Sequence, residues 1–153
     1  MTSSKNFVPL SVMTKFSLGL VGSSAPAPGA YAVVRSVVSD YLTKFGDGLV
    51  VVSGGAKGVD SMAVKVCGEL GVKVVEFKNT VYRWEGPGGF KERDLKIANE
   101  SDCVVSIVNK SFNPKSKSTV CYHCAKVPRD SNHIVSGGCY TALHCRRSEV
   151  IVI

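Results

Sequence analysis

Five short apolar runs constrain this chain more than any other feature. "FSLGLVG", "LVVVS", "VKVVEF", "CVVSIV" and "EVIVI" carry apolar side chains at mostly consecutive positions rather than at every second one. Such runs suit strands buried on both faces, as in a parallel sheet covered by helices. Between them lie segments with helical spacing. Val34, Val37, Val38, Tyr41, Leu42 and Phe45 form one apolar stripe, with Pro28 suited to the first turn and Gly46 to the stop. Val59, Met62, Ala63, Val66 and Leu70 form another, ended by Gly71. "FKERDLKIANES" and "SGGCYTALHCRR" read as a third and a fourth helix. Strand and helix alternate throughout, and right-handed crossovers then give an α/β fold, a doubly wound parallel sheet of five strands. No helix follows the last strand. One face near that edge is therefore expected to be bare or to meet a second subunit, as in a homo-oligomer.

The chain has 153 residues, 44% of them hydrophobic, enough for one domain with a proper core. No apolar run is long enough to span a membrane. Residues 1–15 are interrupted by Pro9 and polar side chains and lack the apolar centre of a signal peptide. They read as a short tail, residues 16–153 as the domain, and the protein as cytoplasmic. The net charge of +7 favours anionic partners, although solubility alone is the simpler reading. Much of the excess is local. Residues 109–133 hold Lys110, Lys115, Lys117, Lys126 and Arg129 against one acid, Asp130.

Three strand-to-helix corners are built from small residues: "GSSAP", "SGGAKG" and "SGG". In an open parallel sheet, ligands bind beyond the carboxyl ends of the strands, where the strand order reverses. Glycine lets the backbone approach a phosphate closely, and the following helix N-terminus offers unpaired N–H groups. The candidates are Gly22, Ser23 and Ser24 in the first corner, and Ser53, Gly54, Gly55 and Gly58 in the second. Ser136, Gly137 and Gly138 make the third. Neither a Walker loop nor a dinucleotide fingerprint is present, so the pattern implies a phosphate-bearing ligand and no more.

"VVSGGAKGVDSMAVKVCGELGVKVV" resembles the second-strand motif of DprA/Smf-like and YspA-like proteins of the SLOG superfamily, whose fold is Rossmann-like. Ser53, Gly54, Ala56, Gly58, Val59, Asp60 and Ala63 match its Ser-Gly-x-Ala-x-Gly-[Ile/Val]-Asp-x-x-Ala pattern in order. Arg93 and Ile97 fit the family's Arg-Asn-x-x-Ile segment, with Asp94 in the asparagine position. Ser136, Gly137, Gly138, Thr141 and Ala142 fit the third loop. The resemblance implies a domain that binds a nucleotide, another phosphorylated small molecule, or single-stranded nucleic acid. It adds Asp60, Arg93 and Thr141 to the ligand-binding candidates. Arg93 would grip a phosphate; within "KERD" it could equally be neutralised by Glu92 and Asp94. The related LOG enzymes cleave nucleotide N-glycosidic bonds and carry a glutamate in the third loop, where this chain has His144. Asp60 and Glu92 are the remaining carboxylate candidates for a nucleotide hydrolase. The primary expectation is a binding module. The alternatives are that hydrolase and a single-strand binder using the basic segment.

Six cysteines without an export signal argue against a disulfide framework. Cys67 and Cys103 fall in apolar stretches and read as core. Cys121, Cys124, His133 and Cys139 form C-x2-C-x8-H-x5-C, a set able to close a tetrahedral structural zinc site. Residues 109–133 have few apolar side chains, and a metal would supply folding energy to that insertion before the last helix. His144 or Cys145 could replace one ligand, and a redox CxxC or reduced thiols are the other readings. Tyr82, Trp84 and Phe90 flank "EGPGG" and read as caps on the core, with base stacking the alternative.

Protein purified without chelator should carry close to one equivalent of zinc by metal analysis. Less than about half an equivalent would exclude the structural site.

Overall fold

The computed structural model describes residues 15–109 and 138–153. Each apolar run becomes a strand: β1 Phe16–Gly22, β2 Leu49–Ser53, β3 Lys73–Glu76, β4 Cys103–Val108 and β5 Ser148–Val152. The helices are α1 Ala30–Phe45, α2 Val59–Leu70, α3 Phe90–Glu100 and α4 Cys139–His144. A 3-10 turn, Gly46–Gly48, leads into β2. All strand pairs are parallel, in the order β3-β2-β1-β4-β5. This is the expected doubly wound, Rossmann-like sheet. The cysteine-rich insertion falls almost wholly outside the described residues.

From β1, in the middle of the sheet, the chain winds outward twice. α1 and α2 cover one face as it passes from β1 to β3. α3 then returns it past β1 to β4, and α3 and α4 cover the other face. Alternation along each strand divides the core accordingly. Leu18, Leu20, Val51, Val105 and Ile107 pack with Val34, Val38, Val59, Ala63 and Val66. Val21, Val52 and Val104 pack with Ile97, Ala98 and Ala142. Cys67 and Cys103 are buried in the first cluster, as their surroundings in the sequence suggest. At the edge, Ile151 and Ile153 reach that cluster, while Val150 and Val152 on the opposite side of β5 are exposed.

The helix stops follow the glycines. Gly71 adopts a left-handed conformation and its N–H closes on the Cys67 carbonyl. Gly46 closes α1 on Leu42. The start of α1 differs from expectation. Gly29, with φ 86°, caps the helix, so Pro28 lies outside its first turn. Pro28 belongs instead to the preceding turn, in which the Ala30 N–H donates to the Ala27 carbonyl.

The tightest junction is between β1 and β4. A Cβ on Gly22 would stand 2.1 Å from the Ile107 carbonyl oxygen and 2.9 Å from Val59. Gly22→Ala should therefore cost about 2 kcal/mol or more, because backbone must move. Gly68 lies exposed in α2 and a Cβ there meets nothing within 4 Å. Gly68→Ala should stabilise by about 0.5–1 kcal/mol. Urea denaturation of the two variants checks both signs.

Candidate functional site

The strand order reverses between β1 and β4, and the first two small-residue corners meet at the carboxyl end of that junction. Ser23 ties the first corner down. Its N–H donates to the Ile107 carbonyl (3.1 Å), and its hydroxyl accepts the Asn109 N–H (3.0 Å). The Asn109 amide donates to the Ala25 carbonyl (3.0 Å), so the residue after β4 holds both ends of the turn. The Val59 N–H, at the start of α2, donates to the Ser23 carbonyl (3.1 Å). Gly58, with φ 91°, permits that approach, since a Cβ there would lie 2.3 Å from the Ser23 oxygen.

The second corner is braced from within. The Ser53 hydroxyl accepts the Gly55 N–H (3.1 Å) and donates to the Asp60 carbonyl (3.2 Å). Asp60 is 6% exposed and accepts backbone hydrogen bonds from Gly54 and Gly22. One carboxyl thus fastens both corners. Arg93, in the first turn of α3, completes the cluster. Its Nε donates to Asp94 Oδ1 (2.8 Å) and its Nη1 to the Gly54 carbonyl (3.4 Å). The Arg93 and Asp94 side chains are 10% and 4% exposed.

One guanidinium therefore faces two buried carboxyls. It cannot neutralise both, and removing either charge from water is costly. Burial pushes Asp60 up to about 7, with Asp94 adding to the shift and Arg93 opposing it. Burial also raises Asp94, against the pull of Arg93 and of the nearby Thr141. The Thr141 hydroxyl nevertheless reaches full hydrogen-bond geometry with no described residue, and neither does that of Ser106. Ser106 lies against Gly138, where an added Cβ would come within 2.8 Å of its Oγ.

The candidates thus divide into braces and rim. Gly22, Ser23, Ser53, Gly54, Asp60, Gly138 and Thr141 are buried, whereas Gly55 and Gly58 are half-buried. Ser24 is exposed, as are Ala56 and Lys57 between the glycines of the second corner. Ser136 and Gly137 lie outside the described residues. Lys57 and Asn109 escaped the sequence reading. The only signal for Asn109 was a polar side chain directly after an apolar strand. Asp94, read as a possible neutraliser of Arg93, is its ion-pair partner. Of the carboxylates considered for hydrolysis, Asp60 is a brace and Glu92 accepts the Gly88 N–H (2.8 Å).

The loop after β3 borders the same rim. Tyr82 is 92% exposed and meets Phe90 edge-on at 5.9 Å, so it caps no core. Trp84 lies edge-on to Tyr140 of α4 at 4.9 Å, and Tyr140 packs on His144 at 4.1 Å. Beside Arg93, Lys78 and Lys96 line a cavity of about 120 Å³.

Cys121, Cys124 and His133 lie outside the described residues. Cys139 opens α4 and is half-buried. Among the described residues no group of His, Cys, Asp or Glu is arranged to hold a metal. Cys145 is buried with its thiol toward the Ser101 carbonyl (3.6 Å), and His144 Nδ1 lies 3.0 Å from the Tyr140 carbonyl. No described helix is long and apolar enough to cross a membrane.

Comparison with known proteins bears on the family and the fold. The model of the family described as DNA recombination-mediator protein A matches residues 9–121. The crystal structure of DNA processing protein A (DprA) from Streptococcus pneumoniae superposes with a TM-score of 0.50 at 18% identity, covering 70% of this chain and 53% of that one. DNA processing protein A from Helicobacter pylori, solved for its single-stranded DNA binding mode, gives 0.44 at 19% identity, covering 66% and 58%. The chain thus spans little more than half the length of these solved structures. No curated protein matches.

The shared-charge cluster makes stability depend on pH. Asp60 in the fold holds its proton to about pH 7, whereas an unfolded carboxyl releases it near its ordinary 3.8. Stability should therefore fall as pH rises between these values and level off above, by up to about 4 kcal/mol from this group. Asp60→Asn cannot ionise. It should flatten the decline in urea midpoint between pH 5 and pH 8 and match or exceed the parent at pH 8.

Proposed function

The chain belongs to the DNA recombination-mediator protein A family, and from that premise we propose that its carboxyl edge binds single-stranded DNA. Phosphates lodge at the first two corners, against Ser24, the backbone of residues 55–57 and Lys57. Unstacked bases lie toward Tyr82. The observation that carries this reading is the contact of two side-chain-poor corners at the β1/β4 reversal, with Gly58 against Ser23. Backbone N–H groups and a helix N-terminus there suit a phosphate. An excess charge of +7 suits a polyanion. An almost fully exposed tyrosine suits a base, since every base offers a face for stacking.

An extended strand is favoured over a free nucleotide as occupant of this rim, because Ser24, Lys57 and Tyr82 all face solvent, a surface suited to a ligand that lies along it rather than one enclosed by it. Arg93 contributes by holding the second corner, its own charge being taken up by Asp94.

We also propose that Cys121, Cys124, His133 and Cys139 hold a structural zinc. The ligand spacing supports this set, and the inward-facing thiol of Cys145 favours Cys139 over Cys145 as the fourth ligand.

Fluorescence anisotropy with a labelled dT oligonucleotide tests the binding. Affinity should fall steeply with salt, and Lys57→Ala should weaken it and shallow the log–log slope by about 0.7, the value of one lost single-strand phosphate contact. Tyr82→Ala should cost about 1–3 kcal/mol with the slope unchanged. Undetectable binding at low salt, or binding indifferent to both variants, would refute the proposal.

A further inference from the structure

The opposite end of the sheet holds a second concentration of charge. β1, β4 and β5 are adjacent and parallel, and their registers bring their starts side by side. Lys15 precedes β1, Asp102 precedes β4, and Arg146 and Arg147 precede β5. With Phe16 these residues line a cavity of about 470 Å³. That volume falls within the roughly 300–1,000 Å³ typical of small-molecule sites.

Among the described residues three cations and one acid line the cavity, and the acid is already engaged. Asp102 Oδ2 accepts the Ser17 N–H (2.8 Å), and the Asp102 N–H donates to the Ser17 carbonyl (2.8 Å). Lys15, Arg146 and Arg147 are exposed and make no ion pair among the described residues. Glu149 follows in β5, and its charge reaches Tyr41 and Cys103 together with that of Arg147. It offsets one cation at most. Like charges gathered around one concavity repel, and an anion between them relieves the repulsion. Two arginines supply forked donors suited to phosphate.

Beside the cations the half-buried Phe16 lines the cavity, with the rest of its ring packed against the core. The Phe16 ring stacks on Phe45 at 4.2 Å with 10° between planes, and on Tyr41 at 5.5 Å. A phosphate group next to a flat ring system would match this pairing of cations and aromatic surface.

We propose that the amino-end cavity is a second nucleotide site, with the phosphate held by Lys15, Arg146 and Arg147 and the base against Phe16. It stands about 20 Å from the carboxyl edge, the length of a strand of β1's size. It shares no residue with that edge and so does not depend on the reading given for it. The nucleotide is either free or one unit of a nucleic-acid strand, and the chemistry recognised is the same.

The test compares the parent chain with Arg146→Ala/Arg147→Ala, using deoxythymidine monophosphate and a short dT oligonucleotide as probes. Among the described residues neither arginine side chain makes an ion pair, and the Arg147 carbonyl, which accepts the Val104 N–H (2.9 Å), survives the substitution, so the melting temperature should change little. Affinity should fall at least tenfold for the occupant, whereas Lys57→Ala leaves this site intact. A loss for the monophosphate assigns a free nucleotide. A loss for the oligonucleotide alone assigns a unit of a strand. Amide shifts at Phe16, Ser17, Asp102 and Cys103 of the parent chain on adding the probe give a reading free of any folding defect. If the double variant binds both probes as the parent does, or if neither probe shifts those amides, the site does not exist.

Discussion

Two buried carboxyls share one guanidinium beneath the carboxyl edge, and the geometry of that edge follows from them. Asp60 accepts from Gly22 at the end of β1 and from Gly54 at the end of β2, so one group from α2 fixes the spacing of two corners. Arg93 reaches across from α3 to the Gly54 carbonyl, and Asp94 keeps its fork in place. Elements from both faces of the sheet thus converge on one cluster. An excess of negative charge there is relieved by a proton rather than by a second cation. That lessens the negative charge behind the corner at which a phosphate would dock.

The small polar residues beside the glycines have two uses, and the structure divides them. Ser23 and Ser53 look, in sequence, like donors for a ligand. In the fold their hydroxyls satisfy backbone N–H groups that a buried corner would otherwise leave unpaired. Ser24 and Lys57, one step further out, have no such duty and face solvent. The proposed binding at this rim would therefore rest on backbone groups and a few exposed side chains, with the buried set acting through shape. Such a surface would tolerate different bases, because no buried side chain is placed to read a base edge.

The sheet was largely legible in the chain because burial leaves a periodic trace. Runs such as "LVVVS" and "CVVSIV" announce strands covered on both sides, and Gly46 and Gly71 mark helix stops through the conformations they alone adopt cheaply. Pro28 misled because its fixed φ suits either a first helical turn or the turn before it, and Gly29 decided between them. Asn109 was not legible as a clamp. Its partners, Ser23 and Ala25, lie more than eighty residues away in sequence, and no local pattern records such a pairing. Asp94 was visible as a neighbour of Arg93, but its burial was not, since "KERD" reads as a solvated cluster. The candidate corners were found for the reason the strands were. The division of their residues into braces and rim depends on contacts between distant segments.

The two ends of a parallel sheet are not electrostatically equivalent. Helix N-termini gather at the carboxyl edge and supply partial positive charge there without any basic side chain. The amino edge receives helix C-termini and their partial negative charge, which attracts cations in its own right. α4, six residues long, adds little of it, but α3 and α1 also end at this edge, at Glu100 and Phe45, and their C-termini account for part of the cationic excess. The exposed edge of β5 is a further reason for one charge, since charged residues discourage a strand from pairing with another chain. It does not explain why Lys15, from the centre of the sheet, lines the same concavity beside an aromatic stack. Charges that serve only to keep an edge solvated have no reason to converge on one hollow, and a bound anion supplies one.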